Sequence, residues 1–196
     1  MSKFDHFDFI GPIYDRVFGR HIDTEMLEIA RPGSEDRVLD VGGGTGRVSI
    51  LFQPRVKSIV VSDAAPGMAR QAQGRGLDAV VSAAERLPYS SAQFDLVIMV
   101  DAFHHVIDQQ RTLDEMWRMV APGGRIIIEE PDIHYFVVKL IALGEKLLLM
   151  RSHFVKPEMI ASMGLRGRKA TLEIQKGSGI AWVIITKPNN HDERSY

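Results

Sequence analysis

Two acidic residues bracket a run of glycines in this chain. Asp40 lies inside the apolar run Val38-Leu39-Asp40-Val41, and Gly42, Gly43, Gly44, Thr45 and Gly46 follow directly. Asp63 comes about 20 residues after the first glycine, a distance that suits an acid accepting hydrogen bonds from ribose hydroxyls. Glycine lets a ligand approach the backbone with no Cβ in the way. The N–H groups that open a following helix favour a polar or anionic group. A dinucleotide fingerprint, G-x-G-x-x-G from Gly42, would need glycine where Arg47 stands. The pattern here is G-x-G-x-G, through Gly42, Gly44 and Gly46, with an acid just ahead of it. Asp40 would repel a pyrophosphate and accept from an ammonium, so the pattern favours an amine-bearing ligand over NAD. A plain tight turn explains an isolated glycine pair equally well; strand, acid, glycines, helix and second acid in register argue against it.

Three further residues could move a proton. His104 and His105 follow the apolar run Phe94 to Val100, at the sheet edge where α/β folds bind ligands. Imidazole exchanges protons near neutrality. Neighbouring side chains point apart, so His104 is assigned to the acceptor side and His105 to the cofactor wall. Packing or capping is the plainer reading of either. Tyr14 is a third candidate if the N-terminal segment folds over the pocket, against simple core packing. His134 and Tyr135 stand in reserve. Glu129, Glu130 and Asp132 cluster after Ile126-Ile127-Ile128; they read as a solvated strand end, or as counter-charge for an amine. No metal is expected, because zinc needs three or four converging ligands and Asp101 with Asp108 makes a poor cage for a hard cation.

These residues need a scaffold. The chain has 196 residues, 45% of them apolar and 25% charged, with net charge −1. That describes a folded protein with no bulk electrostatic case for nucleic acid. The absence of cysteine excludes disulfides, thiolate metal sites and a Cys nucleophile, and fits a reducing, cytoplasmic setting. The N-terminus lacks the apolar stretch of a signal peptide. The greasiest region, Phe136 to Met150, is interrupted by Lys139, Glu145 and Lys146, and a spanning helix needs about 20 mostly apolar residues.

Short β-branched runs alternate with helical patterns. Strands are expected at Arg37 to Val41, Lys57 to Ser62, Leu77 to Val81, Phe94 to Val100 and Gly124 to Glu130; continuous apolar runs suit parallel strands buried on both faces. Helices are expected at Gly46 to Phe52, Pro66 to Gln73 and Gln109 to Val120. The tail reads as helices at 136–150 and 156–163, then strands Thr171 to Gln175 and Ile180 to Thr186 around a glycine turn. The sum is a doubly wound, mostly parallel, seven-stranded α/β sheet with a C-terminal antiparallel hairpin. One domain over 1–196 is expected: a helical cap at 1–36, a core at 37–130, and lid helices with the closing hairpin at 131–187.

Val38 to Gly46 resembles the first motif of class I S-adenosylmethionine-dependent methyltransferases. Val61-Ser62-Asp63-Ala64-Ala65-Pro66-Gly67-Met68 resembles their second. Ala83-Ala84-Glu85-Arg86-Leu87-Pro88-Tyr89 with Phe94-Asp95-Leu96-Val97 resembles the third block, and Phe103-His104-His105-Val106 and Ala121-Pro122-Gly123-Gly124-Arg125 complete the series. Within that family the chain is similar to the small-molecule branch of ubiquinone and menaquinone C-methyltransferases. The resemblance implies S-adenosylmethionine as cofactor and S-adenosylhomocysteine as product. It implies that Asp40 reaches the methionine amine and that Gly42, Gly43, Gly44 and Gly46 wrap the methionine and ribose. It gives Asp63 the ribose hydroxyls, sets Ala64 and Met68 on the adenine, closes the Ala83-Ala84-Glu85 turn over it, and places Asp101 beside the methionine part. Relatives usually carry an acid at the place of Ala83 and a capping serine at that of Ala65. The first change removes a hydrogen bond worth ~0.5–1.5 kcal/mol, the second a cap worth ~1 kcal/mol.

Several acceptor classes can be argued down. Asp101-Ala102-Phe103 is unlike the Asn/Asp-Pro-Pro-aromatic signature of amino-purine methylation, and pyrimidine C5 chemistry would need a cysteine. The apolar 136–150 stretch reads as a packed helix, or as a lid over an apolar or aromatic small molecule, a dimer contact or a membrane-surface contact. A monomer or a homodimer remains open. The basic 151–176 region, with Arg166-Gly167-Arg168-Lys169, reads as a solvated loop. Its alternative is an RNA or protein acceptor, and a further alternative is a non-catalytic S-adenosylmethionine-binding protein.

Overall fold

The computed structural model describes residues 25–132, 153–177 and 179–189. Seven strands form one sheet: β1 (Arg37–Val41), β2 (Ser58–Asp63), β3 (Asp78–Val81), β4 (Phe94–Val100), β5 (Val120–Pro131), β6 (Thr171–Lys176) and β7 (Ile180–Thr186). Their spatial order is β3-β2-β1-β4-β5-β7-β6. The first five pair in parallel, while β7 runs antiparallel to both β5 and β6. This is the expected α/β architecture, with the hairpin closing one edge.

Alternation along the central strands divides the core. Leu39, Val41, Val97, Met99, Ile126 and Ile128 face one side, where they meet Leu113, Met116 and Met119 of α4 (Gln109–Met119) and Ile160 of α5 (Pro157–Leu165). Val38, Leu96, Ile98, Val100 and Ile127 face the other, against Met26 and Ala30 of α1 (25–30, helical within the described residues) and Phe52 of α2 (Ser49–Phe52). Helices on both faces explain why these strands read as unbroken apolar runs. The helix α3 (Pro66–Gly74) packs beside β2 and β3.

Two boundaries differ from the sequence reading by three residues or more. The helix expected from Gly46 begins at Ser49. Gly46 sits at φ +74, outside right-handed helical space, so the turn must finish first. The fifth strand begins at Val120 rather than Gly124: Val120 pairs with Phe94, and the register then shifts to join Leu96 with Arg125. Tyr14, His134, Tyr135 and the 136–150 stretch lie outside the described residues. Among the described residues no helix is long and apolar enough to cross a membrane.

Candidate functional site

The glycine turn is tied to the end of β2. Gly42 N–H donates to the Ser62 carbonyl at 2.7 Å. Gly44 N–H donates to Asp63 Oδ2 at 2.9 Å, and Ala65 N–H to Asp63 Oδ1 at 2.8 Å. Asp63 thus holds both the turn and the entry to α3. Gly42 and Gly44 adopt φ +70 and +57, a left-handed region that favours glycine. A Cβ on Gly42 would fall 2.7 Å from that of Ala102, whereas one on Gly44 would meet nothing within 4 Å. The turn is packed at one glycine and open at the other.

Beneath it lies Asp40, wholly buried. Ser49 Oγ–H donates to Asp40 Oδ2 at 2.6 Å, and Oδ1, equally buried, has no hydrogen-bond partner among the described residues. A Cβ on Gly43 would stand 2.5 Å from the Asp40 carboxyl carbon, so the carboxylate is pressed directly against the turn. Burial pushes the Asp40 carboxyl up to about 6; the Ser49 bond and Arg47 pull it down, and Asp63 adds to the rise.

On the other side of β4, Asp101 leaves the strand at φ +52, with its N–H on the Glu129 carbonyl at 2.9 Å. A non-glycine residue in that region stores strain, which tends to collect at functional sites. The 3-10 turn Phe103–His105 follows. His104 is buried, with Nδ1 2.6 Å from Glu130 Oε2. The other Glu130 oxygen accepts the Phe103 N–H at 2.7 Å. The His104 ring stacks on Phe154 (4.1 Å between centroids, 14° between planes) and lies 3.9 Å from that of His105. Burial, with a contribution from His104, pushes the His105 imidazole down to about 3, so His105 is neutral at neutral pH.

The acids ending β5 are buried, against the expectation of a solvated strand end. Glu129 is 2%, Glu130 5% and Asp132 1% exposed. The reason is position: β5 lies inside the sheet, between β4 and β7. Strand alternation sends the two glutamates to opposite faces. Glu130 meets His104, and Glu129 Oε2 accepts the Trp182 indole N–H at 2.6 Å.

The remaining predicted residues are placed more loosely. Ala64 is exposed, while Met68 and Ala84 are half-buried. Glu85 braces the segment after His105, where its Oε1 accepts the Ile107 and Asp108 N–H groups at 2.9 and 3.2 Å. Ala65 offers α3 no side-chain cap. Arg166, Gly167 and Lys169 are exposed, as expected of a solvated loop, but Arg168 is half-buried. It pairs with Asp114, donates to the Gly164 carbonyl and lies 5.2 Å above the Trp117 ring, which leaves the basic stretch fewer cations for an acidic partner. Sequence reasoning missed Ser49, Glu130 as a histidine partner, Phe154 and Trp182. Only Ser49 carried a signal, as a small polar residue within the apolar run Val48-Ser49-Ile50-Leu51-Phe52. Among the described residues no group of three or more acids and histidines is placed to hold a metal.

Residues 39–128 match the family model described as a methyltransferase domain. A demethylmenaquinone methyltransferase of Thermus thermophilus is 30% identical over 139 residues, 63% of this chain and 63% of that protein. That of Deinococcus radiodurans is 37% identical over 136 residues, 62% of this chain and 56% of that protein. A ubiquinone/menaquinone biosynthesis C-methyltransferase of Methylococcus capsulatus is 33% identical over 120 residues, 55% of this chain and 48% of that protein. The chain therefore spans roughly half to just under two thirds of these relatives. Among solved structures, the protein bound to the Trm112 methyltransferase activator of Haloferax volcanii superposes with TM-score 0.80 at 16% identity, covering 96% of this chain and 100% of that one. A Thermotoga maritima protein described as a SAM-dependent methyltransferase superposes with TM-score 0.77 at 22% identity, covering 92% and 98%. These two superpositions speak to the fold.

Proposed function

We propose that this chain is a class I S-adenosylmethionine-dependent methyltransferase, on the branch of the ubiquinone and menaquinone C-methyltransferases, and that it methylates a small apolar or aromatic acceptor. The observation that carries the reading is the orphaned Asp40 Oδ1 beneath a turn left open at Gly44. A buried carboxylate oxygen without a donor costs on the order of 1–3 kcal/mol or more, and a ligand ammonium would supply that donor. Asp63, at the far end of the turn, is placed for ribose hydroxyls. The site residues thus fit an aminoacyl nucleoside better than a pyrophosphate.

S-adenosylmethionine supplies an electrophilic methyl group, and the sulfur loses its positive charge when the methyl departs. The chain's residues bind and align. Asp40 and the glycine turn hold the amino-acid end and Asp63 the ribose. Ala64, Met68 and the Ala83–Glu85 turn border the adenine, and Asp101 borders the methionine. On the acceptor side, Glu130 fixes the His104 ring through Nδ1, which sets the tautomer. His104 would take the proton that the acceptor loses from the atom to be methylated. His105, neutral and half-buried, lines the wall between the two substrates. An apolar or aromatic acceptor suits the demethylmenaquinone methyltransferases among the relatives.

The test is methyl transfer from labelled S-adenosylmethionine to a panel of reduced quinones, phenols and amines. Transfer to an aromatic small molecule, reduced at least tenfold in His104→Ala with unchanged cofactor affinity, is expected. A wild-type chain that binds no S-adenosylmethionine in calorimetry would overturn the reading.

A further inference from the structure

We infer that Ser49 is a positioning residue for the cofactor: its hydroxyl holds the Asp40 carboxylate under the glycine turn so that Oδ1 is kept for the cofactor's ammonium. The inference rests on the S-adenosylmethionine reading above.

The Asp40 carboxyl group is enclosed, with one oxygen bonded and the other left without a partner among the described residues. Ser49 is wholly buried at the first residue of α2. Its 2.6 Å bond to Oδ2 is short and charge-assisted. Gly43 presses on the carboxyl group from above: a Cβ there would come within 2.5 Å of both Cγ and Oδ2 and 2.9 Å of Oδ1. Two charged groups act on the carboxylate, Asp63 from the end of β2 and Arg47 from the turn itself. Among the described residues, Ser49 is therefore the one hydrogen-bond donor that the Asp40 side chain has. Without it both oxygens would lie buried and unpartnered, and the group would take up a proton at higher pH. A neutral acid offers an ammonium no counter-charge.

The sign follows. Asp40 titrates near 6 in the folded chain, so cofactor affinity falls as pH drops through that value. Removing Ser49 moves the fall toward neutrality.

Calorimetric titration with S-adenosylmethionine from pH 5 to about 7.4 tests this, a range in which the ligand's amino group (ordinary pKa about 7.7–8.0) stays mostly protonated. For the wild type, Kd is expected to be level near neutrality and to rise toward about tenfold per pH unit below the Asp40 transition. In Ser49→Ala the rise should begin at higher pH, leaving Kd at pH 6.5 about two- to tenfold weaker, with the gap narrowing as pH increases. In Asp40→Asn, whose amide cannot ionise, the acid-side rise should vanish. A Ser49→Ala profile that superimposes on the wild type, or is weaker by one constant factor at every pH, overturns the inference. If that variant does not fold, Asp40→Asn decides, since an acid-side rise that persists there overturns it equally. Wild-type chain that binds at no pH overturns the methyltransferase reading itself, and this inference with it.

Discussion

The two sides of β4 build their parts of the site by opposite rules. The glycine turn is local: Asp40, Gly42 to Gly46 and Ser49 lie within ten residues, and their main anchor to the rest of the fold is Asp63 on the neighbouring strand. The His104 side is assembled across the chain. His104 meets Glu130, 26 positions away, and Glu129 meets Trp182, 53 positions away. The turn is held by backbone N–H groups, whereas the other side is held by buried side chains bonded to each other. A backbone site depends on conformation and leaves its mark in a short motif. A side-chain site depends on the completed sheet, and its loss is felt as lost stability.

The sharpest break in that comparison should come from Glu130→Ala. It leaves a buried histidine and the Phe103 N–H without their acceptor, at a cost of roughly 3–5 kcal/mol by the measure of broken buried pairs. Differential scanning fluorimetry should show the midpoint fall by about 10 °C or more. A shift of a degree or two would mean that the pair contributes nothing to stability.

Asp63→Ala should act the other way round. It removes the acceptor of two backbone donors and the expected ribose contact, so S-adenosylmethionine affinity should fall about ten- to hundredfold. The midpoint should move less than for Glu130→Ala. Equal cofactor affinity in calorimetry would defeat the ribose assignment.

The two sides should also respond oppositely to pH. His105 is pushed down to about 3 from the ordinary 6.5. The unfolded chain takes that proton first, so stability is full above 6.5 and is lost as pH falls toward 3. Asp40 is raised from 3.8 to about 6. The folded chain takes that proton first, so its contribution is present below 3.8 and lost as pH rises through 6. Urea denaturation of Asp40→Asn between pH 4 and 7 should therefore show a steeper loss toward acid than the wild type. Parallel curves would refute the Asp40 displacement.

The smallest effect should come from Ala65→Ser. A serine at the start of α3 restores the cap that alanine lacks and should stabilise the protein by ~1 kcal/mol. A midpoint raised by a few degrees is expected, and a lowered one would show that Asp63 already occupies the capping position.

The sequence was readable where structure is local. The strands from Arg37, Phe94 and Ile180 stand where their β-branched runs put them, and α4 begins at the expected Gln109. Reading failed where a distant residue decides. Glu129 and Glu130 look like a solvated strand end until β7 is seen beside them. Nothing near Glu85 in the sequence shows that its carboxylate accepts the Ile107 and Asp108 N–H groups. Pro122-Gly123-Gly124 looks like a break, yet Val120 already pairs with Phe94. Nothing near His104 announces Glu130 or Phe154, because pairing at such separations is written in the topology.

The strand that comes last in order, β7, is seated between β5 and β6. During synthesis, β5 therefore keeps a naked edge until residues 180–186 have left the ribosome, and β6 has nothing to join. Such an edge is a template for foreign strands. A premature stop ahead of Ile180 would then yield a sticky fragment rather than a trimmed fold, with Glu129 stripped of its indole and the half-made sheet open to its neighbours.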